Sequence, residues 1–358
     1  RLTDDVAALV AGRISRLSEP ARKLLERFAC LDTPADHATL GLIGGTTPES
    51  VASSIEEAAT AGLVVPSTGG HRFAHDRVSE AAYALVPPDR REASHLDIAR
   101  RLHAAHGPSV EGEAVFAVVG QYNRALRLVE TSEERRAVAA LELSAARRAR
   151  STTAYASALS YASTGSQLLA GDHAPHDPAL SFALGLLQAE CRLLTGEVAA
   201  AERQLAAMAE AETGPVDRAA VTCLQIDLYT LLDRSDLGVG VALRYLASVG
   251  IHWSAHPSRD HLDDEYGRFH REIVAHRIER FAELPHMSDP AVQATMDVLT
   301  RMQVPAMFSD ENLGGMVLAR MANLSVAHGN GHGSCFAYGW LAGFAGAHLG
   351  DADSARKL

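Results

Sequence analysis

The chain has 358 residues, of which 47% are hydrophobic but only 5% aromatic, and it carries a formal net charge of -11. That length argues for two or more compact units, and cores filled by Ala, Leu and Val favour close-packed helices over sheets. The negative charge excludes a broad electrostatic pull on nucleic acid or anionic lipid.

Residues 3–17 read as a helix, with Thr3 as N-cap, Asp4 and Asp5 in its first turn, and an apolar stripe of Val6, Leu9, Val10, Ile14 and Leu17. Ser18 caps the next helix, which has Pro20 in its first turn and Leu24, Leu25, Phe28, Ala29 and Leu31 inward. A short helix follows over Ala35–Ile43, closed by Gly44-Gly45. Thr47-Pro48-Glu49 opens another with Val51, Ile55, Ala58 and Ala59 inward, ended by Gly62. Leu63–Pro66 and His71–Phe73 are short β-like runs joined by a turn over Ser67–Gly70. Helices followed by a small hairpin are the order of a winged helix. Asp76 is then expected to cap a helix through Leu85, and a long helix runs from about Asp89 to His106.

From Glu113 onward only helical signals occur, at about 113–130, 133–150, 153–170, 178–195, 197–212, 215–232 and 236–249, with short polar breaks between them. This is the rhythm of antiparallel helical hairpins. Ala189–Met208 and Ala342–Ala355 resemble the tetratricopeptide (TPR) pattern, in which small residues let two helices approach closely. Residues 250–263, containing Trp253, His256 and Pro257, interrupt the rhythm and read as a long connection. Helices resume at about 262–281, 288–303, 310–328 and 333–349. The fold expected is mainly α, with a winged-helix-like domain over 1–107, TPR-like hairpins of an α-α superhelix over 108–250, and further hairpins of the same array over 251–358.

The chemistry of a catalyst is missing from the sequence. There is no Gly-Lys pair, so no P-loop can place a lysine on β- and γ-phosphates. Nor is there a Gly-x-Ser-x-Gly elbow, a Cys-x-x-Cys or a His-Glu-x-x-His. His252/His256 and His328/His332 have metal-compatible spacing but lack a third ligand nearby, so no metal site is expected. Cys30, Cys191, Cys223 and Cys335 lie apart in apolar helical contexts and read as reduced core residues of a cytoplasmic protein. Arg135, Arg136, Arg147 and Arg148 read as a solvent face shared with Glu133, Glu134 and Glu142. No apolar run reaches the length of a membrane span, and no signal peptide is evident. The first residue is not Met and the last stretch stops inside an apparent helix, so a longer parent polypeptide is expected.

A DNA-reading winged helix sets basic and polar side chains into the major groove. Here Phe28–Gly70 contains no Lys or Arg, and the recognition-helix equivalent carries Glu49, Glu56 and Glu57. DNA binding is therefore disfavoured. A DNA-binding transcriptional regulator with a helical effector domain stands as the alternative, and a basic stripe around Arg90–Arg101 would favour it.

The run Arg72-Phe73-Ala74-His75-Asp76-Arg77-Val78, followed by Ala81, Ala82 and Tyr83, resembles the region after the ATPase core in STAND-class signalling ATPases. The resemblance is strongest to large bacterial proteins that join an AAA-like NTPase and a helical repeat region to a kinase or cyclase. Pro285, Asp289-Pro290, Met321–Ser325 and His328-Gly329-Asn330 resemble the helical part of the same proteins. The resemblance implies a regulatory, protein-interaction role in signal transduction. An upstream NTPase domain would bind ADP or ATP, and a protein partner or small ligand would meet the helical array. It further implies that His75, with Arg72 and Asp76, senses the β-phosphate of bound ADP. No cofactor is expected in this segment itself.

Overall fold

The computed structural model describes residues 10–31, 33–107, 110, 112–170, 176–211, 213–275, 281 and 283–351. The architecture is mainly α with a single two-stranded antiparallel hairpin among the described residues. The chain divides into two compact units, Arg1–Leu187 and Gln188–Leu358.

In the first unit, a helical stretch over 10–14 buries Val10 and Ile14. The proposed Thr3 cap lies outside the described residues. Helix α1 (Glu19–Phe28) starts at Ser18, whose hydroxyl accepts from the Ala21 N–H and donates to Glu57 at 2.6 Å. Helix α2 (His37–Gly44) is capped by Asp36, and α3 (Pro48–Thr60) by Thr47. On α3 the buried positions are Val51, Ser54, Ile55 and Ala58; Ala59, expected inward, is exposed. These helices bury Leu24, Leu25, Phe28, Leu40, Ile43 and Ile55 in one core.

Strands β1 (Val64–Ser67) and β2 (Gly70–Phe73) pair in the register Val64↔Phe73 through Ser67↔Gly70. Phe73 stacks on Phe28 with ring centroids 4.6 Å apart, locking the hairpin to α1. A further bridge ties Ala35 to His71, with N–H···O distances of 2.8 and 2.9 Å in the two directions. Ala35 thus precedes α2 as a strand-like residue instead of beginning the helix. Three helices are thus followed by a single hairpin, with an extra bridge ahead of α2.

Helices α4 (Asp76–Ala84) and α5 (Pro88–His106) complete this region. The expected helix over 113–130 is shorter: α6 spans Ala114–Asn123, and a 3-10 turn follows at Leu126–Leu128. The chain leaves helical geometry at Ala125, where Tyr122, Ala125 and Val129 are all buried, so tertiary packing overrides local propensity. Helices α7 (Ser132–Ser151) and α8 (Tyr155–Leu168) then form a closely packed pair. Helix α9 (Pro178–Leu194) contains the division between the units.

The second unit contains α10 (Val198–Ala209), α11 (Pro215–Leu231), α12 (Ser235–Ser248), α13 (Arg259–Ala275), α14 (Pro290–Ser309), α15 (Glu311–His328) and α16 (Ser334–Phe344). A π-type turn over Ala345–Leu349 follows. The last part of the expected helix over 262–281 lies outside the described residues, and so does the end of the TPR-like stretch Ala342–Ala355. Helix α14 runs to Ser309 in place of the expected stop at 303, with Pro305 inside it. Pro305 is buried, and a Cβ added at Gly238 of α12 would lie 3.5 Å from it. Packing there compensates for the hydrogen bond that proline removes. Helix α14 pairs with α15, α11 lies on α12 and α14, and α13 and α16 lie on α15, burying Met302, Leu313, Val317 and Met321. The only β feature here among the described residues is an isolated bridge, His286↔Asn330.

Candidate functional site

The hairpin–helix junction holds the three residues singled out from sequence. His75 occupies the N-cap position of α4 in extended conformation (φ -150°, ψ 153°) and its side chain makes no capping bond. Asp76 is therefore the first residue of the helix and not its cap, the reverse of the expectation. Its carboxylate instead adds charge where the α4 dipole is positive. Arg72, His75 and Asp76 are all exposed. The Arg72 guanidinium makes one long contact, 3.5 Å, to the carbonyl of Phe73. Arg72 and Asp76 line a cleft of about 470 Å³ together with Phe28, Phe73, Tyr83 and Arg124; His75 is not among its lining residues. The fold thus brings two of the three to one cleft and leaves the imidazole on the adjoining surface.

Behind this junction lies a buried polar chain that sequence reading did not identify. Tyr83, near the end of α4, has its hydroxyl 3.1 Å from Nε2 of His95 on α5. Nδ1 of His95 is 2.8 Å from Oε1 of Gln121 on α6, and the Gln121 amide donates to the Cys30 carbonyl at the end of α1, also at 2.8 Å. His95 and Gln121 are buried. Because the Gln121 nitrogen donates to Cys30, its oxygen faces His95. Nδ1 must then carry the hydrogen, and Nε2 accepts from Tyr83. The signal available in the sequence was a polar residue within an apolar stripe. His95 falls in line with Ile98, Ala99 and Leu102, and Gln121 with Val118 and Ala125.

Other sequence expectations sort plainly. Cys30, Cys191 and Cys223 are buried, and burial pushes the Cys223 thiol up to about 12. Cys335 is exposed, against the expectation of a core residue: it lies at the start of α16, on the side away from the core. Glu142, expected on a solvent face, is fully buried, because that face of α7 is covered when α8 packs on it. His256 is 3.1 Å from Asp310. No cluster of three His, Cys, Asp or Glu side chains suited to a metal ion occurs among the described residues.

A DNA-reading surface gains no support. Glu57 of α3 is occupied in capping the start of α1. On α5, Arg100 makes a two-pronged ion pair with Glu134, Arg101 binds Asp97 at 3.0 Å, and Arg91 lies 4.8 Å from the Tyr83 ring centroid. Among the described residues no helix is long and apolar enough to cross a membrane.

No family model matches the chain. Hybrid signal transduction histidine kinase G of Dictyostelium discoideum is 20% identical over 333 residues, taking in 76% of this chain and 10% of that protein. The chain therefore spans about a tenth of the curated relative it matches. A STAND protein with a tetratricopeptide repeat sensor from Pyrococcus horikoshii covers 96% of this chain and 50% of its own, at 12% identity and a TM-score of 0.41. A likeness that distant carries no argument about function.

Proposed function

We propose that this chain is a non-catalytic regulatory and interaction segment of a STAND-type signalling ATPase. In this reading the winged-helix module couples the nucleotide state of an upstream NTPase domain to a helical array that senses a protein partner or a small ligand. The observation that carries the reading is the buried chain Tyr83–His95–Gln121–Cys30. It begins on the helix that His75 precedes and ends by joining the first helix of the array to the winged-helix core. A ligand at the exposed junction can bias the array only through elements that move together. This network makes α4, α5, α6 and the end of α1 one such element.

ADP or ATP belongs to the upstream domain, with His75, Arg72 and Asp76 offered to it from this side. An imidazole N–H and a guanidinium both donate to phosphate oxygen. The signalling name of the Dictyostelium relative is in keeping with this role. Three buried cysteines suit a reducing, cytoplasmic setting.

The test is ADP release from the full-length protein. Loss of one hydrogen bond to a charged phosphate should speed release in His75→Ala by about tenfold or more. His95→Leu should leave ADP release near that of the parent while removing the nucleotide dependence of proteolytic protection in the array. Unchanged release in His75→Ala overturns the sensing role, and nucleotide-dependent protection that survives in His95→Leu overturns the coupling route.

A further inference from the structure

The irregular connection that breaks the helical rhythm is tied to the start of α15 by two side-chain contacts. The Asn312 amide donates to the Pro257 carbonyl at 3.1 Å, and His256 is held by Asp310. Trp253 packs against both hydrophobic clusters of the second unit. Between this connection and helices α13 and α15 lies a small, partly open cavity of about 170 Å³ whose lining includes His252, Trp253, His261, Asp264, Arg268 and Arg320.

Its polar groups are mostly donors. Arg320 sits 5.6 Å from the Trp253 ring centroid and spends one nitrogen on Glu265, at 2.8 Å. The Arg320 Nε is buried and has no hydrogen-bond partner. Glu265 is itself saturated: it also meets Arg268 at 3.6 Å and accepts from Asn323 at 2.8 Å. The backbone N–H of Ser258 donates to Nδ1 of His261 at 3.3 Å, which places the ring hydrogen on Nε2 as a further donor. Against Arg320 Nε, the His261 Nε2–H and the half-exposed Arg268, the lining offers one uncommitted carboxylate, Asp264. A buried guanidinium N–H without an acceptor is costly, and such groups call for an ion, ligand or water.

We infer that this cavity is a binding site for a small oxyanion group, held by Arg320, Arg268 and His261 over the Trp253 ring. The volume is below that of drug-sized pockets, so the ligand is a small carboxylate or a single phosphate. Occupancy would fasten the 250–258 connection to α13 and α15, giving the second unit a means of reporting a metabolite. The assignment does not depend on the role given to His75.

Trp253 supplies the readout, since Trp340 is the only other tryptophan. In Trp340→Phe, the emission of Trp253 is followed against acetate and inorganic phosphate, with chloride at matched ionic strength as control. A saturable change with one of the two oxyanions, absent with chloride, is expected, and which one saturates names the group. Arg320→Gln strands the buried Glu265 and risks misfolding, so His261→Phe and Arg268→Gln are the working variants. Each should weaken binding by about tenfold, the loss of one charge-assisted hydrogen bond. A non-saturable response shared with chloride, or full affinity in both variants, overturns the assignment and leaves a hydrated cavity.

Discussion

Glu142 is the residue whose environment is least compatible with its charge. It is fully buried, both carboxylate oxygens lack a hydrogen-bond partner, and the Asn123 Oδ1 is likewise buried without one. Burial raises its pKa from 4.5 to about 8, with the Asn123 amide pulling the other way. An ionised carboxylate there would be a buried charge without a counter-ion, so the folded protein holds the proton at neutral pH. The unfolded chain releases it near 4.5, and stability therefore falls as pH rises from 4.5 toward 8 and levels off above. The loss is on the order of 5 kcal/mol at about 1.4 kcal/mol per pH unit. Glu142→Leu should flatten that slope and raise the Tm at pH 8; thermal unfolding from pH 5 to 8.5 checks it, and an unchanged slope contradicts it. His95 makes the opposite case. His95→Leu strands the Gln121 oxygen in the core, and an urea titration should show about 1–3 kcal/mol lost.

At the scale of elements, helix pairs approach closely where one partner lacks a side chain. A Cβ added at Gly315 of α15 would lie 2.5 Å from the Phe344 ring of α16 and 2.9 Å from Leu262 of α13. Gly165 of α8 would similarly meet Leu184 of α9 at 2.7 Å and Glu142 of α7 at 3.2 Å. Helix propensity favours Ala by about 1 kcal/mol, but overpacking a buried contact costs about 1–3 kcal/mol. Gly315→Ala should therefore lower the Tm, the ring of Phe344 having little room to yield; a rise would show that α15 and α16 can separate freely. In the hairpin the constraint lies in the backbone. Gly70 has φ +131°, and a Cβ there would come within 2.3 Å of the Ala35 carbonyl oxygen. Gly70→Ala should break the Ala35–His71 bridge and raise amide exchange at both residues, while α1 and α3 keep their protection.

For the whole molecule, the net charge disfavours nucleic acid as a partner. A net charge of -11, with Arg100 and Arg101 of α5 both ion-paired, opposes the phosphate neutralisation that nucleic-acid binding needs. Low-salt mobility-shift assays with duplex DNA should show no retention; binding with a steep salt dependence would revive the transcriptional-regulator reading. The chain's division at residue 187/188 places the His75 junction and the Tyr83–His95–Gln121 network in one unit and the Trp253–Arg320 cavity in the other.

What the sequence determined by itself was local. Apolar stripes at helical spacing, Ser, Thr and Asp caps, and Gly-rich breaks marked the helices and most of their boundaries among the described residues, because backbone geometry responds to neighbours a turn away. Phe73 and Val64 announced a hairpin for the same reason. Tertiary structure decided what depends on residues far apart in the chain. It buried Glu142 under α8, carried α14 through Pro305, ended α6 early at Asn123 and moved the α4 N-cap position from Asp76 to His75. It also joined Tyr83, His95 and Gln121, and set Trp253 against Arg320, 67 positions further along the chain. Charge and hydrogen-bond satisfaction are set by what surrounds a side chain in space, and pattern along the chain does not encode that.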